Sequence, residues 1–304
     1  MKYSLVGLLV LSAMSSQASY ELLLVADPTE RVIHRLDSVS GSYLGTFGKG
    51  ILLGPRSVAV NASLGRAYVY DHVQEKVFTF SYSTGVLLSS FSTASLSTID
   101  TTFGYVSVMS SGNLLLGLSY GGGFQFTPGG LLTATYVAPA GQPGLTKVTQ
   151  GQDGRVYGVN WNQSQVACYN VGGGASIGLS ATNTAYWDQV AFGADGIGLT
   201  TSTVVRFGMS PSLPSLASST FTPFGLTGAT ALARGHGNAT YLGGATASAA
   251  RIARFDGTDF TSWGFIENPA IKSVAGMATV VAPEPLSVLT LVGGLAVLVR
   301  RRRK

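Results

Sequence analysis

Gly65-Arg-Ala-Tyr-Val-Tyr-Asp71, followed after a short turn by Lys76-Val-Phe-Thr-Phe80, decides how this chain folds. Both stretches are rich in Val, Tyr, Phe and Thr, which fit a pleated, half-buried surface, and polar or glycine-bearing turns bound each of them. A third strand precedes them at Ser57-Val-Ala-Val60, and a fourth follows at Gly85-Val-Leu-Leu-Ser-Ser-Phe91. Four consecutive strands in about 40 to 45 residues have the size of one blade of a β-propeller.

Outward from this unit the pattern repeats. The second strand recurs at 22–27, 114–118, 155–160, 196–200 and 239–243, and its partner at 32–37, 124–126, 165–170, 203–207 and 251–256. Innermost strands are expected near Ser57, Tyr105, Leu145, Gln189 and Ala229, and once more at 273–279. The first blade lacks an inner strand ahead of Glu21, whereas the last inner strand has no blade after it. Residues 274–279 are therefore expected to close the ring, which removes the exposed edges of an open array. The expectation is an all-β, six-bladed β-propeller of four-stranded blades over residues 19–281. The inner Val-Ala-Val strand followed by Gly-Arg-x-Tyr-Val-x-Asp resembles NHL-type and YVTN-type repeats.

The two ends read as addresses. Met1-Lys2, an apolar stretch from Tyr3 to Leu11 and the small residues of Ser16-Gln17-Ala18 form an export signal over residues 1–18, to be cut by signal peptidase after Ala18. Residues 282–304 hold Pro283-Glu284-Pro285, an apolar run from Leu286 to Val299, and the cluster Arg300, Arg301, Arg302 and Arg303 before Lys304. Two prolines keep Glu284 on extended backbone. As a helix the apolar run would be about 21 Å long, a thin transmembrane helix once the arginines snorkel. Cations in that place act as a membrane stop on the cytoplasmic side.

This tail resembles the sorting signal of PEP-CTERM proteins, which polysaccharide-producing Gram-negative bacteria export. The resemblance covers about the last 23 residues, with Ala282 where the family usually has Val. It implies recognition at Pro283, Glu284 and Pro285 by an exosortase, a membrane transpeptidase-like enzyme, after transient residence in the inner membrane. The body is then expected at the cell surface or in the extracellular matrix.

Composition narrows the partners. The chain has 19 Lys and Arg against 14 Asp and Glu. Lys2, Arg300 to Arg303 and Lys304 supply six of those cations and Glu284 one of the anions, so the remaining body is neutral. A neutral body has no basic stripe for a polyphosphate, and nucleic acid is not an expected partner. The single cysteine, Cys168, has no disulfide partner within the chain and reads as a buried strand residue.

No catalytic constellation is legible. His34, His72 and His236 fall on different elements without a metal-ligand spacing, and no serine stands in a nucleophile-elbow context. Gly121-Gly-Gly123 and Gly172-Gly-Gly174 join strands and read as turns. No catalytic residue, metal or cofactor is therefore expected. The candidate ligand face consists of Asp71, His72, Asn160, Trp161, Trp187 and Asp188, where an aromatic beside a polar group can stack on a sugar ring. The plainer reading packs Trp161 and Trp187 between blades and gives Asp188 a turn role. Two functional classes stay open. One is a non-catalytic module that binds exopolysaccharide or a surface protein, and the other is an exported hydrolase or lyase with a metal in the channel.

Overall fold

The computed structural model describes residues 20–96, 104–159, 165–179, 187–192, 196–200, 203–208, 215–220, 225–235, 239–256 and 262–282. Every regular element among them is a strand. The first meander is β1 (Tyr20–Asp27), β2 (Val32–Asp37) and β3 (Tyr43–Phe47); the second is β4 (Pro55–Asn61), β5 (Arg66–Asp71), β6 (Lys76–Ser81) and β7 (Leu87–Ser92). Then come β8 (Gly104–Val108), β9 (Leu114–Leu118), β10 (Gly122–Phe126) and β11 (Leu132–Tyr136). They are followed by β12 (Lys147–Gln150), β13 (Val156–Val159), β14 (Val166–Tyr169) and β15 (Gly178–Leu179). The remaining strands are β16 (Trp187–Phe192), β17 (Gly196–Thr200), β18 (Thr203–Phe207), β19 (Ser215–Thr220), β20 (Gly228–Arg234), β21 (Thr240–Ala245), β22 (Ala250–Asp256), β23 (Ser262–Ile266) and β24 (Gly276–Ala282).

The last strand completes the first sheet. β24 pairs antiparallel with β1 from Tyr20↔Ala282 to Ala26↔Gly276, giving the order β24-β1-β2-β3. The first strands of successive meanders contact one another in the order β4, β8, β12, β16, β20 and β24, and β24 returns to β4. The described chain is thus a closed, propeller-like, all-β ring.

The expectation of six separate four-stranded sheets needs correction. Among the described residues four sheets have four strands, and one has eight, in the order β11-β10-β9-β8-β12-β13-β14-β15. The joint is a parallel contact between the inner strands β8 and β12 at Tyr105 and Lys147. Gly117 on β9 permits it: a Cβ there would stand 2.5 Å from the Leu145 carbonyl oxygen and 2.8 Å from the Lys147 backbone. With no side chain in the way, β12 lies close enough for its backbone to bond to β8.

Packing explains why strands such as Leu22–Ala26 read as unbroken apolar runs instead of alternating ones. Leu22, Leu24 and Ala26 pack with Val58, Val69, Phe78 and Phe80 of the second sheet. Leu23 and Val25 face the opposite way, onto Ala231, Tyr241, Ile252 and Met277. Similar clusters fill the gaps between the other neighbouring meanders. Truncating one such fully buried leucine to alanine costs about 2–5 kcal/mol. The outermost strands differ: Leu87 and Leu88 of β7 and Tyr43 and Leu44 of β3 are exposed. Cys168 is fully buried in β14, as expected, and burial pushes its thiol up from the ordinary range.

No helix of the described residues is long and apolar enough to cross a membrane. The expected export signal over residues 1–18, the expected sorting motif Pro283-Glu284-Pro285, the apolar run 286–299 and Arg300 to Arg303 lie outside the described residues.

A chain ended at Ala275 loses β24 and exposes the β1 edge. Its far-UV circular dichroism melt is expected to lose cooperativity, and addition of a peptide with the sequence of Gly276–Ala282 is expected to restore it in part by strand addition. An unchanged melt would mean that the seam carries no stability.

Candidate functional site

Asp27 and Asp71 end equivalent strands, β1 and β5, and neither is a surface ligand. Both carboxylates are fully buried. Asp71 accepts backbone N–H groups from Val73 (3.1 Å) and Gln74 (3.0 Å) in its own turn, and from Leu53 (2.6 Å) and Gly54 (2.9 Å) before the inner strand. Asp27 repeats the arrangement with Thr29 (2.9 Å) and Glu30 (3.1 Å), and with Lys272 (2.7 Å) and Ser273 (3.2 Å) across the closing seam. The Ser273 hydroxyl and His34 Nε2 complete its shell at 2.6 and 3.2 Å. Burial alone would raise the Asp27 carboxyl, but the hydrogen bonds from His34, Ser273, Lys272 and Glu30 hold it far below the usual carboxylate range.

This corrects the reading of Asp71 as part of a ligand face: it tethers two loops. His72 is half-buried and its Nδ1 lies 2.8 Å from the Gly54 carbonyl, so it belongs to the same tether. Asn160 and Trp161 lie outside the described residues. Trp187 and Asp188 open β16, at a shift of register against β17 between Trp187 and Gln189. His34 is satisfied by Asp27 and by the Tyr43 hydroxyl at 3.3 Å, and His236 lies outside the described residues.

The centre of the ring is crossed by side chains. Tyr105, buried on β8, sends its hydroxyl to donate to the Thr230 carbonyl of β20 at 3.4 Å. The Gln189 amide donates to the same carbonyl, and its oxygen receives the Leu232 N–H at 3.2 Å and Lys147 Nζ at 3.4 Å. The Arg56 guanidinium carbon sits 5.5 Å from the Tyr105 ring centre and Lys147 Nζ 5.9 Å from it, within range of cation–π attraction. Tyr105 therefore bridges two opposite inner strands, with two cations beside its ring.

A cavity of about 580 Å³, which shares Arg56 and Thr230 with this cluster, opens between the first and last sheets, within the ordinary range for small-ligand sites. Among the described residues, Arg56, Thr227, Thr230, Thr246, Ser248, Lys272 and Ser273 supply its polar side chains, and none of those lining it is acidic. A second cavity of about 540 Å³ adjoins it, sharing residues 248–250 and Lys272 and adding Glu267 and Asn268. Sequence reading missed this place because its residues come from the starts of three inner strands and from two turns, far apart in the chain. The one available signal was a cation at or just ahead of the start of an inner strand, at Arg56 and Lys272. Among the described residues no three His, Cys, Asp or Glu side chains stand close enough together to hold a metal ion.

No family model matches the chain, and no curated protein does. Solved structures do match. A protein of unknown function from Bacteroides caccae superposes with a TM-score of 0.63 at 10% identity, covering 86% of this chain and 99% of that one. A putative 6-phosphogluconolactonase from Bacteroides fragilis gives 0.57 at 15% identity, over 83% and 82%. The Swd1 β-propeller domain of Myceliophteria thermophila gives 0.56 at 8% identity, over 83% and 87%. At these identities the likeness establishes the propeller-like fold.

The carboxyl of Asp27 lies lower in the folded than in the unfolded chain, where it is about 3.9. Its contribution is complete above that value and is lost as the pH falls toward the folded value. Asp27→Asn is expected to destabilise by about 2 kcal/mol at neutral pH and to flatten the fall in stability below about pH 4. Urea melts at several pH values read both effects; parallel pH profiles for the two proteins would contradict the assignment.

Proposed function

We propose that this chain is an exported, non-catalytic binding module whose ligand is a glycan held in the cavity between the first and last sheets. The finer reading of its fold counts the eight-stranded sheet as two blades fused at their inner strands, which makes a six-bladed propeller. The observation that carries the proposal is the set of hydroxyls and cations that line this cavity, beside the Tyr105 bridge to Thr230. Such a wall offers hydrogen bonds to a polyol, and the described residues that line it include no carboxylate or imidazole to serve a reacting bond. The tail motif Pro283-Glu284-Pro285 supports delivery to the cell surface or matrix, where exopolysaccharide is at hand, through an exosortase-type enzyme.

Two measurements test this. On an oligosaccharide array the purified full chain is expected to retain glycans saturably, and Ser248→Trp, which fills the shared wall at an exposed turn, to abolish retention. Absence of any retention would remove the glycan reading. A stoichiometric divalent ion together with cleavage of a lactone or glycan would put an exported hydrolase or lyase in its place. Mass spectrometry of protein recovered outside the native cell is expected to find the chain ended near Pro283 to Pro285. An intact Arg300–Lys304 tail found in membranes alone would overturn the sorting proposal.

A further inference from the structure

We infer that the face of the ring opposite the cavity described above carries a second, separate binding site for a neutral sugar unit, between the second and third meanders. It shares no lining residue with the first cavity and stands or falls apart from the reading above.

The site is a cavity of about 420 Å³ lined by residues 60–64 and 108–112, where two inner strands turn into their second strands. That size is within the ordinary range for small ligands. Arg56, on the first cavity, and Asn61, on this one, stand at the two ends of β4, which puts about 17 Å of extended backbone between them. The equivalent gap between the third and fourth meanders is filled. There Gln150 accepts the Ser110 N–H at 2.8 Å and the Ser110 hydroxyl at 3.0 Å, and donates to the Gly154 carbonyl at 2.9 Å.

Between the second and third meanders stands a donor without an acceptor. Asn61 is 7% exposed, and its Oδ1 receives the Ser63 hydroxyl at 2.7 Å and the Leu64 N–H at 3.1 Å. The Leu64 N–H settles which end of the amide is oxygen. The nitrogen end meets no acceptor among the described residues, although a buried amide is ordinarily paired. Gly112 keeps the space in front of it: a Cβ there would stand 3.3 Å from Asn61 Nδ2, and a φ of +87° disfavours any other residue.

The groups around this amide complement it. Ser63 and Ser110 give their protons to Asn61 and Gln150, so their oxygens are left with lone pairs. Ser111 accepts the Asn113 N–H at 3.4 Å and keeps its own proton to donate. Exposed Leu64 adds an apolar surface beside them. Among the described residues none that lines the cavity carries a formal charge. Mixed donors and acceptors with one apolar side suit the hydroxyls and C–H face of a neutral sugar. A carboxylate or sulfate would meet serine lone pairs and no cation.

Proton–nitrogen correlation spectra of the full chain, titrated with cellotetraose, maltotetraose and chitotetraose, test this. At least one of these neutral tetrasaccharides is expected to shift the Asn61 side-chain amide pair, identified by its absence from Asn61→Asp, together with the Gly112 N–H. Asn61→Asp keeps the oxygen that Ser63 and Leu64 need and removes the amide donors, so the affinity read at Gly112 is expected to fall about tenfold. Ser111→Trp, which fills the mouth at an exposed turn, is expected to abolish the Gly112 shift, and it answers the question should Asn61→Asp not fold. Ser248→Trp, in the first cavity, is expected to leave shift and affinity unchanged. Silence with all three sugars, or equal affinity in Asn61→Asp, would overturn the second site and leave the first untouched. Loss of the Gly112 shift in Ser248→Trp would overturn it too, by returning the sugar to the first cavity.

Discussion

A sheet that is apolar on both faces cannot stand alone in water, and nearly everything in this chain follows from that constraint. Leu22 to Ala26 are buried on alternate sides against two different neighbours. Each meander therefore needs a sheet before it and a sheet after it, and a row of such units leaves an open face at each end. Curling the row until its ends meet satisfies every face at once. The pairing of β24 with β1 is where that happens.

Closure decides where a ligand can go. The inner strands converge closely enough for Tyr105 to span the ring and reach the Thr230 carbonyl on the far side. One accessible place is the rim where loops entering the inner strands meet the turns between the second and third strands. Asp27 and Asp71 serve that rim from behind. One carboxylate, made expensive by burial and stabilised again by four backbone donors, fixes a turn and a loop together. The rim thereby acquires a fixed shape without helices or disulfides.

The repeat was legible because it is local: Val69, Tyr70, Phe78 and Phe80 announce their strands by composition and spacing. Ring closure was legible too, since a surplus inner strand at one end matched a deficit at the other. The fusion of β8 with β12 was not, because it depends on how closely two backbones approach over Gly117, and a glycine in a strand does not say which neighbour comes near it. Asp71 misled in an instructive way. An aspartate at a strand end beside a histidine looks exposed and available, yet this one is occupied by N–H groups of its own turn and of residues seventeen and eighteen positions upstream. The cavity escaped notice for the complementary reason. Arg56, Thr230 and Lys272 each look ordinary in sequence, and they become a site only when the ring sets their strands side by side.

The register of the closing pair has a mechanical consequence. Tyr20 lies opposite Ala282, so the chain enters and leaves at the same end of the ladder. Tension drawn through both ends would not slide the strands past each other against all their hydrogen bonds together. It would peel them apart like a zip, one pair after another from Tyr20↔Ala282 toward Ala26↔Gly276. A body held from both sides would therefore give way first at its own seam and at modest force, with the other sheets still folded. A body held from one side alone would hang from that seam without loading it.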